Sequence, residues 1–547
     1  MVEKLIQSVR WTCCLIVVSG IVTVPVTARG EESIQPVAVL SIAPSEQLME
    51  DFRYLTQVAG RPDASSHLQL LVAPFLDHLD PERPAGVLVT IEENKPKGIG
   101  FLPVSDGQEL LAALQSKRGA RVDDLGNGVM KLRWGKGAYL KQQGKWLYFT
   151  DQLRNLSDPP KDPVALLDGL NHEYDVAFRL FVRNIPQGLK DVADFTLQTK
   201  IDAAPHAGAN SELDAAFSKS WRRDMKQTVS TLINASDQIT MGWAVDRGER
   251  RTYLDLQAQV KKGTPLSREL GALMDNRSTF TGFFMEEAAV SCQGSVRIPK
   301  SGQERIGSFL GYLREKALRS IDADPNAPKS VNEIVNNVLN VIDQTVREGE
   351  TDMGASLVLA PETFKFVGGA RVADGHALAD AFQKLFELAK HEPDVPRVNF
   401  HAKKYKHLDL HTLSLPIAEH DQDARKLLGN HVDITIATGP EQLFVALGKE
   451  SGNMLETIVD QCLKSGPQKV PPLDLRIALE PVMNYLASIK KENSEQQTLA
   501  KLMKQARGGD AIRLKVHPID SGIGCRLEVE EGALKLLGQA SHANHDG

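Results

Sequence analysis

Cysteine is scarce in this chain. Five occur in 547 residues, and Cys13 and Cys14 fall in an apolar leader, which leaves Cys292, Cys462 and Cys525. Three cysteines allow at most one bridge, which excludes a small disulfide-stapled scaffold and leaves stability to apolar burial. Charge of one sign is also lacking: the net charge is −6 with 24% of residues charged. That balance gives no reason to expect a nucleic-acid partner. Beyond the leader no apolar run reaches the ~18 residues of a spanning helix, so no membrane span is expected in the mature chain. The Gly-x-Ser-x-Gly elbow, the P-loop, His-Glu-x-x-His and Cys-x-x-Cys are all missing. Gly98-Ile99-Gly100 is a fragment of a glycine fingerprint without its last glycine or its helix. No cofactor is expected, and no residue can be named as catalytic.

The first 28 residues carry an export pattern. Lys4 and Arg10 form a basic start, residues 11–26 hold no charge, and Val26-Thr27-Ala28 sets small residues where a signal peptidase reads. Gly20 and Pro25 interrupt the apolar stretch, which at about 16 residues is short for a retained anchor. The mature chain is therefore expected in the periplasm or outside the cell, with an unknown ligand or envelope protein as its partner.

What remains is too long for one core. Strand patterns lie near 37–42, 86–91, 98–104, 128–133, 138–142, 145–150, 176–182, 239–245 and 251–260, with helical periodicity near 44–60 and 66–79. Asp106 is placed to cap a helix carrying Leu110, Leu111 and Leu114, and Ser211 to cap one carrying Leu213, Phe217, Trp221, Met225, Val229 and Leu232. Lys219, Arg222, Arg223 and Lys226 line the other side of that helix as a solvated face. In the second half, Ser301 with Glu304 and Ser330 with Glu333 form capping boxes. Strands follow near 397–415, 432–437, 442–447, 512–516 and 524–529, with helices near 453–464 and 480–506.

The two halves repeat each other. Residues 86–114 align with 354–382 at a constant shift of 268: Gly86 meets Gly354, Gly100 meets Gly368, and Asp106-Gly107 meets Asp374-Gly375. Residues 139–149 resemble 434–445, and 239–256 resemble 512–529 at a shift of 273. Three matches in one order argue for duplication. The expected fold class is α+β, with two homologous halves of antiparallel strands and packed helices. The division is residues 1–28 as leader, 29–270 and 271–540 as the halves, and 541–547 as a disordered tail.

The leader, the opening VAVLSIAPSEQLMEDFRYLTQVAG and the unit GIGFLPVSDGQELLAAL resemble exported proteins of unknown function from planctomycete bacteria. The resemblance spans most of the mature chain. Its motifs are structural, and it implies no activity and no catalytic residue.

His407, Asp409 and His411 alternate as on one face of a strand, and two imidazoles with a carboxylate are a plausible donor set for zinc. His401, His420 and His431 lie nearby in sequence. The same alternation describes any half-exposed strand, so the three are expected to face solvent and not to share an ion. Trp146-Leu147-Tyr148-Phe149 is expected to be core rather than a sugar-stacking surface. The pairs Glu286-Glu287 and Glu530-Glu531 are strand neighbours that point apart. The leading functional expectation is an exported binding or scaffold protein without catalysis. The alternative is a hydrolase with its site in a cleft between the halves.

Secreted material should begin at Arg29, because Val26-Thr27-Ala28 is the one well-placed small-residue site after the apolar run. N-terminal sequencing reads this directly. Protein that still holds Trp11 would show that the leader is retained.

Overall fold

Strand after strand in this chain meets its sequence neighbour through a short turn, so the sheets are antiparallel throughout. The computed structural model describes residues 35–203, 212–323, 328–361, 363–389, 397–418, 420–421, 424–425, 428–489 and 509–543. The leader, Ser211 and residues 490–506 of the last expected helix lie outside them. The chain divides into two compact units. The first comprises Met1–Pro205, Arg222–Thr264 and Leu537–Gly547, the second His206–Trp221 and Pro265–Leu536. The fold class is α+β.

The first unit holds β1 (Ala38–Ile42), β2 (Ala85–Glu92), β3 (Lys95–Pro103), β4 (Arg121–Asp124), β5 (Val129–Arg133), β6 (Ala138–Gln143), β7 (Trp146–Thr150), β8 (Val176–Leu180), β9 (Ser236–Asp246) and β10 (Arg251–Val260). Their order across the sheet is β10-β9-β8-β1-β2-β3-β7-β6-β5-β4.

The second unit opens with β11 (Arg277–Ser278) and β12 (Val290–Arg297). It continues through β13 (Glu350–Ala360), β14 (Thr363–Arg371), β15 (Arg397–Tyr405), β16 (Leu408–Pro416), β17 (His431–Gly439), β18 (Gln442–Leu447), β19 (Gln468–Lys469), β20 (Leu473–Ala478), β21 (Ala511–Ile519) and β22 (Gly522–Glu530). Apart from the small β11–β19 pair, their order is β22-β21-β20-β12-β13-β14-β18-β17-β16-β15. Position for position this is the order of the first unit.

Registers agree as well. Gly86 lies opposite Phe101 and Gly354 opposite Gly369. Gln143 lies opposite Trp146 and Gly439 opposite Gln442. Val176 lies opposite Trp243 and Leu473 opposite Val516. A one-residue slip would move every side chain of a strand to the other face, so agreement at these three pairings means that equivalent positions there share a face. Glu93 and Asn94, both at positive φ, form the two-residue turn whose twist suits the β2–β3 hairpin.

The repeated Asp-Gly pair has a mechanical reason. Asp106 accepts from the backbone N–H groups of Gln108 (2.8 Å) and Glu109 (3.2 Å). Asp374 accepts from Ala377 (2.9 Å). Each satisfies a helix N-terminus that has no other partner there. The glycine that follows lets the helix start flush against the neighbouring hairpin. A Cβ on Gly107 would meet Gln142 Oε1 at 2.4 Å, and one on Gly375 would meet the Gly439 carbonyl at 2.3 Å. Leu110 and Leu378 are buried one turn on, Leu110 within a cluster that includes Leu140 and Leu147.

The cores are filled differently. In the first, Phe101, Trp146 and Tyr148 pack with Leu156, Leu167 and Leu170 from the irregular segment after β7. Trp146 and Tyr148 are thus core, as expected. In the second, Leu455, Ile458 and Val459 of the helix Ser451–Ser465 cover the equivalent face. Gly369 stands where the first unit has Phe101. Its missing side chain makes room for Phe444 and Phe280, whose rings would lie 2.5 and 2.9 Å from a Cβ there.

Several expectations need correction. The helices Lys300–Asp322 and Lys329–Arg347 begin before Ser301 and Ser330, with Pro299 and Pro328 as their capping residues. Each extended proline delivers the chain into the first turn, so the serines sit inside the helix and no side chain caps it. The long helix Glu212–Ala235 leaves Trp221, Met225 and Leu232 substantially exposed, although Phe217 stacks on Tyr312 at 4.2 Å. The closing helix Glu531–Ala543 runs past residue 541, where a tail is expected to begin. Cys292, Cys462 and Cys525 are half-buried and unpaired. Burial is the main cause that pushes the Cys292 and Cys462 thiols up.

Asp106→Ala and Asp374→Ala should each lower stability by ~0.5–2 kcal/mol, the usual loss for an N-cap. Chemical denaturation of the two variants measures it. An unchanged midpoint in either would show that its cap carries no load.

Candidate functional site

Two clefts open at the same end of the two sheets, where β1 or β12 finishes and β2 or β13 begins. The cleft of the first unit has a volume of about 860 Å³. Three elements build it. Pro44 ends the β1 segment, and the helix Ser45–Val58 then turns Glu46, Gln47, Glu50 and Asp51 toward the opening. The segment His172–Asp175 leads into β8, and residues 244–248 leave β9.

Asp175 is fixed by its own backbone. Its carbonyl accepts from Ala43 N (2.8 Å), and its N–H donates to the Trp243 carbonyl (2.9 Å). Its carboxylate accepts from Val245 N (2.7 Å) and from Gln47 Nε2 (2.7 Å). The Asp51 carboxyl interacts with it directly. Both are buried, at 2% and 1% exposure. Arg247 reaches Asp51 through Nε at 3.0 Å and Glu50 through a terminal nitrogen at 2.8 Å. Burial, then the Asp175 charge, pushes the Asp51 carboxyl up to about 7 against the opposing pull of Arg247. Two buried carboxyls side by side cannot both ionise cheaply, so Asp51 keeps its proton close to neutrality.

Beside this pair, Tyr174 donates to Asp255 Oδ2 (2.9 Å), and Tyr174 itself accepts from Gln257 Nε2 (3.2 Å). Asp255 is buried while Leu254 and Leu256 on the same strand are exposed. The polar face of β10 is thus the inward one.

The second unit's cleft, about 640 Å³, is lined by residues 275–277, 295–297 and 350–352 among others. Here Asp352 Oδ2 accepts from Thr279 N (2.8 Å) and Thr279 Oγ1 (3.1 Å). Arg371 is held by Glu348 (3.2 Å), Glu441 (3.5 Å) and Glu350 (3.6 Å).

The histidine cluster differs from the expectation. His407 lies in the turn before β16 and pairs with Gln442 Oε1 (2.7 Å). His411 is 4% exposed and not solvent-facing. Its Nδ1 accepts from His401 N (3.2 Å), and its Nε2 contacts Thr438 Oγ1 (3.1 Å). Burial holds the His411 ring below the usual imidazole range, so it is neutral at pH 7. Asp409 is approached by Lys404 (3.7 Å), His376 (4.0 Å) and His401 (4.0 Å). Among the described residues, no group of three or more histidines, cysteines or carboxylates is arranged to hold a metal ion. His420 lies in a turn and His431 starts β17.

Sequence reasoning passed over Asp51, Asp175 and Arg247, although one signal was available. Asp51 interrupts the stripe of Leu48, Phe52 and Leu55 on its helix, and a charge on a core-facing stripe calls for a partner. Comparison with protein-family models, with curated proteins and with solved structures gives no match.

Because Asp51 is raised from 3.8 to about 7 on folding, the folded chain holds a proton between those values that the unfolded chain has released. Its contribution is complete below the lower value and is lost as pH rises through the upper one. The melting temperature of Asp51→Asn relative to the parent should therefore climb across that window and level off above it. A difference independent of pH would remove the raised Asp51 from the account.

Proposed function

We propose that the protein is an exported binding protein without catalysis of its own, acting in the periplasm or outside the cell. Its ligand site is the acidic cleft of the first unit, and its ligand is a small organic polycation. One observation carries this reading. Glu46, Glu50, Asp51, Glu82, Glu173, Asp175 and Asp246 line the cleft against only Arg247 and His172. A cleft of about 860 Å³ suits a drug-sized ligand, and field lines from clustered like charges concentrate counter-ions in it. A cation entering the cleft favours the ionised form of Asp51, so binding displaces its proton. No helix of the described residues is long and apolar enough to cross a membrane. The export leader and the resemblance to exported planctomycete proteins support the location.

A hydrolase would use the same residues differently, with Asp51 donating its proton to a leaving group beside the Asp175 carboxylate. The value of about 7 for Asp51 is what favours that second reading. Turnover that disappears in Asp51→Asn would select it.

We also propose that the two units descend from one duplicated ten-stranded ancestor. Shared strand order, shared register and a cleft at the same end of each sheet support this. They add topology to the repeat seen in the sequence.

Titration calorimetry of the mature chain with spermidine tests the cation site. Affinity should be higher above the Asp51 value of about 7 than below it, with protons released on binding, and Asp175→Asn should abolish it. Absent or pH-independent binding would overturn the proposal.

A further inference from the structure

The cleft of the second unit contains polar groups that the fold leaves unused. Asn276 is 2% exposed, yet neither its amide oxygen nor its amide nitrogen has a hydrogen-bond partner among the described residues. It lines the cleft just before β11. Its backbone is pinned there, because its carbonyl accepts from Val470 N (3.1 Å). Asp352, 8% exposed, lines the same cleft. Its Oδ2 is occupied by Thr279 and Ser278 also reaches the carboxyl, but among the described residues its Oδ1 has no partner at hydrogen-bond geometry.

Three buried polar atoms are thus left open at one cavity: two acceptors and one amide donor. Such atoms cost stability, because they have lost water and gained nothing in return. Native proteins leave few of them, and those few call for an explanation. Every other strongly polar group at this cleft with a described ion pair is matched. Arg371 is matched by three glutamates, and Arg297 lies 3.6 Å from Glu350. The net demand at the centre is therefore for hydrogen bonds rather than for charge.

We propose that this cleft is a second ligand site, chemically distinct from the acidic one, and that it takes a short peptide through its backbone amides. The argument lies in the pairing. A carboxamide with both ends free is satisfied at once by the N–H and C=O of one extended peptide residue, which point to the same side, through one N–H···O bond in each direction. A lone hydroxyl meets the two ends only one at a time, and a sugar's vicinal pair, which can meet both, is the competing occupant that the glucose comparison tests. The next N–H of a peptide then serves Asp352 Oδ1. The volume of about 640 Å³ holds a peptide of a few residues. The inference does not rest on the cation site, and its position at the same sheet end is an independent correspondence between the units.

Titration calorimetry and thermal melting of the full mature chain, with triglycine as the probe and glucose as the comparison, test it. Triglycine should bind saturably, and glucose should not. Asn276→Leu removes both open amide atoms while keeping similar bulk. It should abolish triglycine binding and leave the melting temperature of the free protein unchanged or higher. A lower melting temperature with binding retained would make Asn276 structural and overturn the proposal. Asp352→Asn, which keeps the shape, guards against misfolding of the first variant. It should weaken triglycine by about tenfold or more, because Asn keeps one acceptor oxygen for Thr279 and sets an NH2 group where the peptide N–H would donate. Equal affinity in Asp352→Asn, equal binding of glucose, or no saturable binding of triglycine would each refute it.

Discussion

The fixed carboxylate of Asp175 is the interaction on which the rest of the first unit's cleft depends. Its main chain bridges the end of β1 and the end of β9, and its side chain ties the Val245 backbone to Gln47 on the first helix. Both bonds to the carboxylate are short and made to groups that themselves sit in or beside regular structure. The helix is therefore held at a set distance from the sheet edge, and Asp51 is carried into contact with a charge it cannot escape. Burial supplies the low-dielectric surroundings in which that contact keeps Asp51 protonated. Arg247, half-exposed and divided between Asp51 and Glu50, moderates the repulsion without cancelling it.

What could be read from the sequence divides by range. The hairpins and the Asp106 and Asp374 caps are local, each fixed by a few adjacent residues, and the structure has them where the pattern puts them. Ser301 and Ser330 illustrate a local conflict: a serine-to-glutamate spacing is a genuine helix start, but a proline two positions earlier starts the helix sooner. His411 illustrates the limit of alternation. β16 lies between β15 and β17 with both faces covered, so Leu410 and His411 are buried together, and no period of two can say which is inside. The Asp51–Asp175 pair was beyond reach for another reason. Its members lie on segments more than a hundred residues apart, brought together by pairings that only the folded sheet defines.

The two units also show how one framework accepts different fillings. Phe101 in one is Gly369 in the other, and the volume is returned by Phe280 from a segment outside the shared strands. The irregular chain that covers one core is replaced by a regular helix over the other. Cores tolerate such exchanges when total volume and patterning are kept. The ends of the sheets carry no such constraint, and there the two units differ in charge and in hydrogen-bonding demand.

The half-buried, unpaired cysteines have a bearing on how such a chain would survive an oxidising compartment. Thiol exchange proceeds through the thiolate, and burial keeps Cys292 and Cys462 in the protonated form. Once the chain is folded, these two thiols are slow participants in disulfide chemistry. Before folding, all three thiols are ordinary ones, open to oxidants and to each other. In such a compartment the hazard of mispairing would be confined to the interval before collapse, and the speed of hairpin formation, rather than any feature of the finished structure, would govern how much of the chain escapes it.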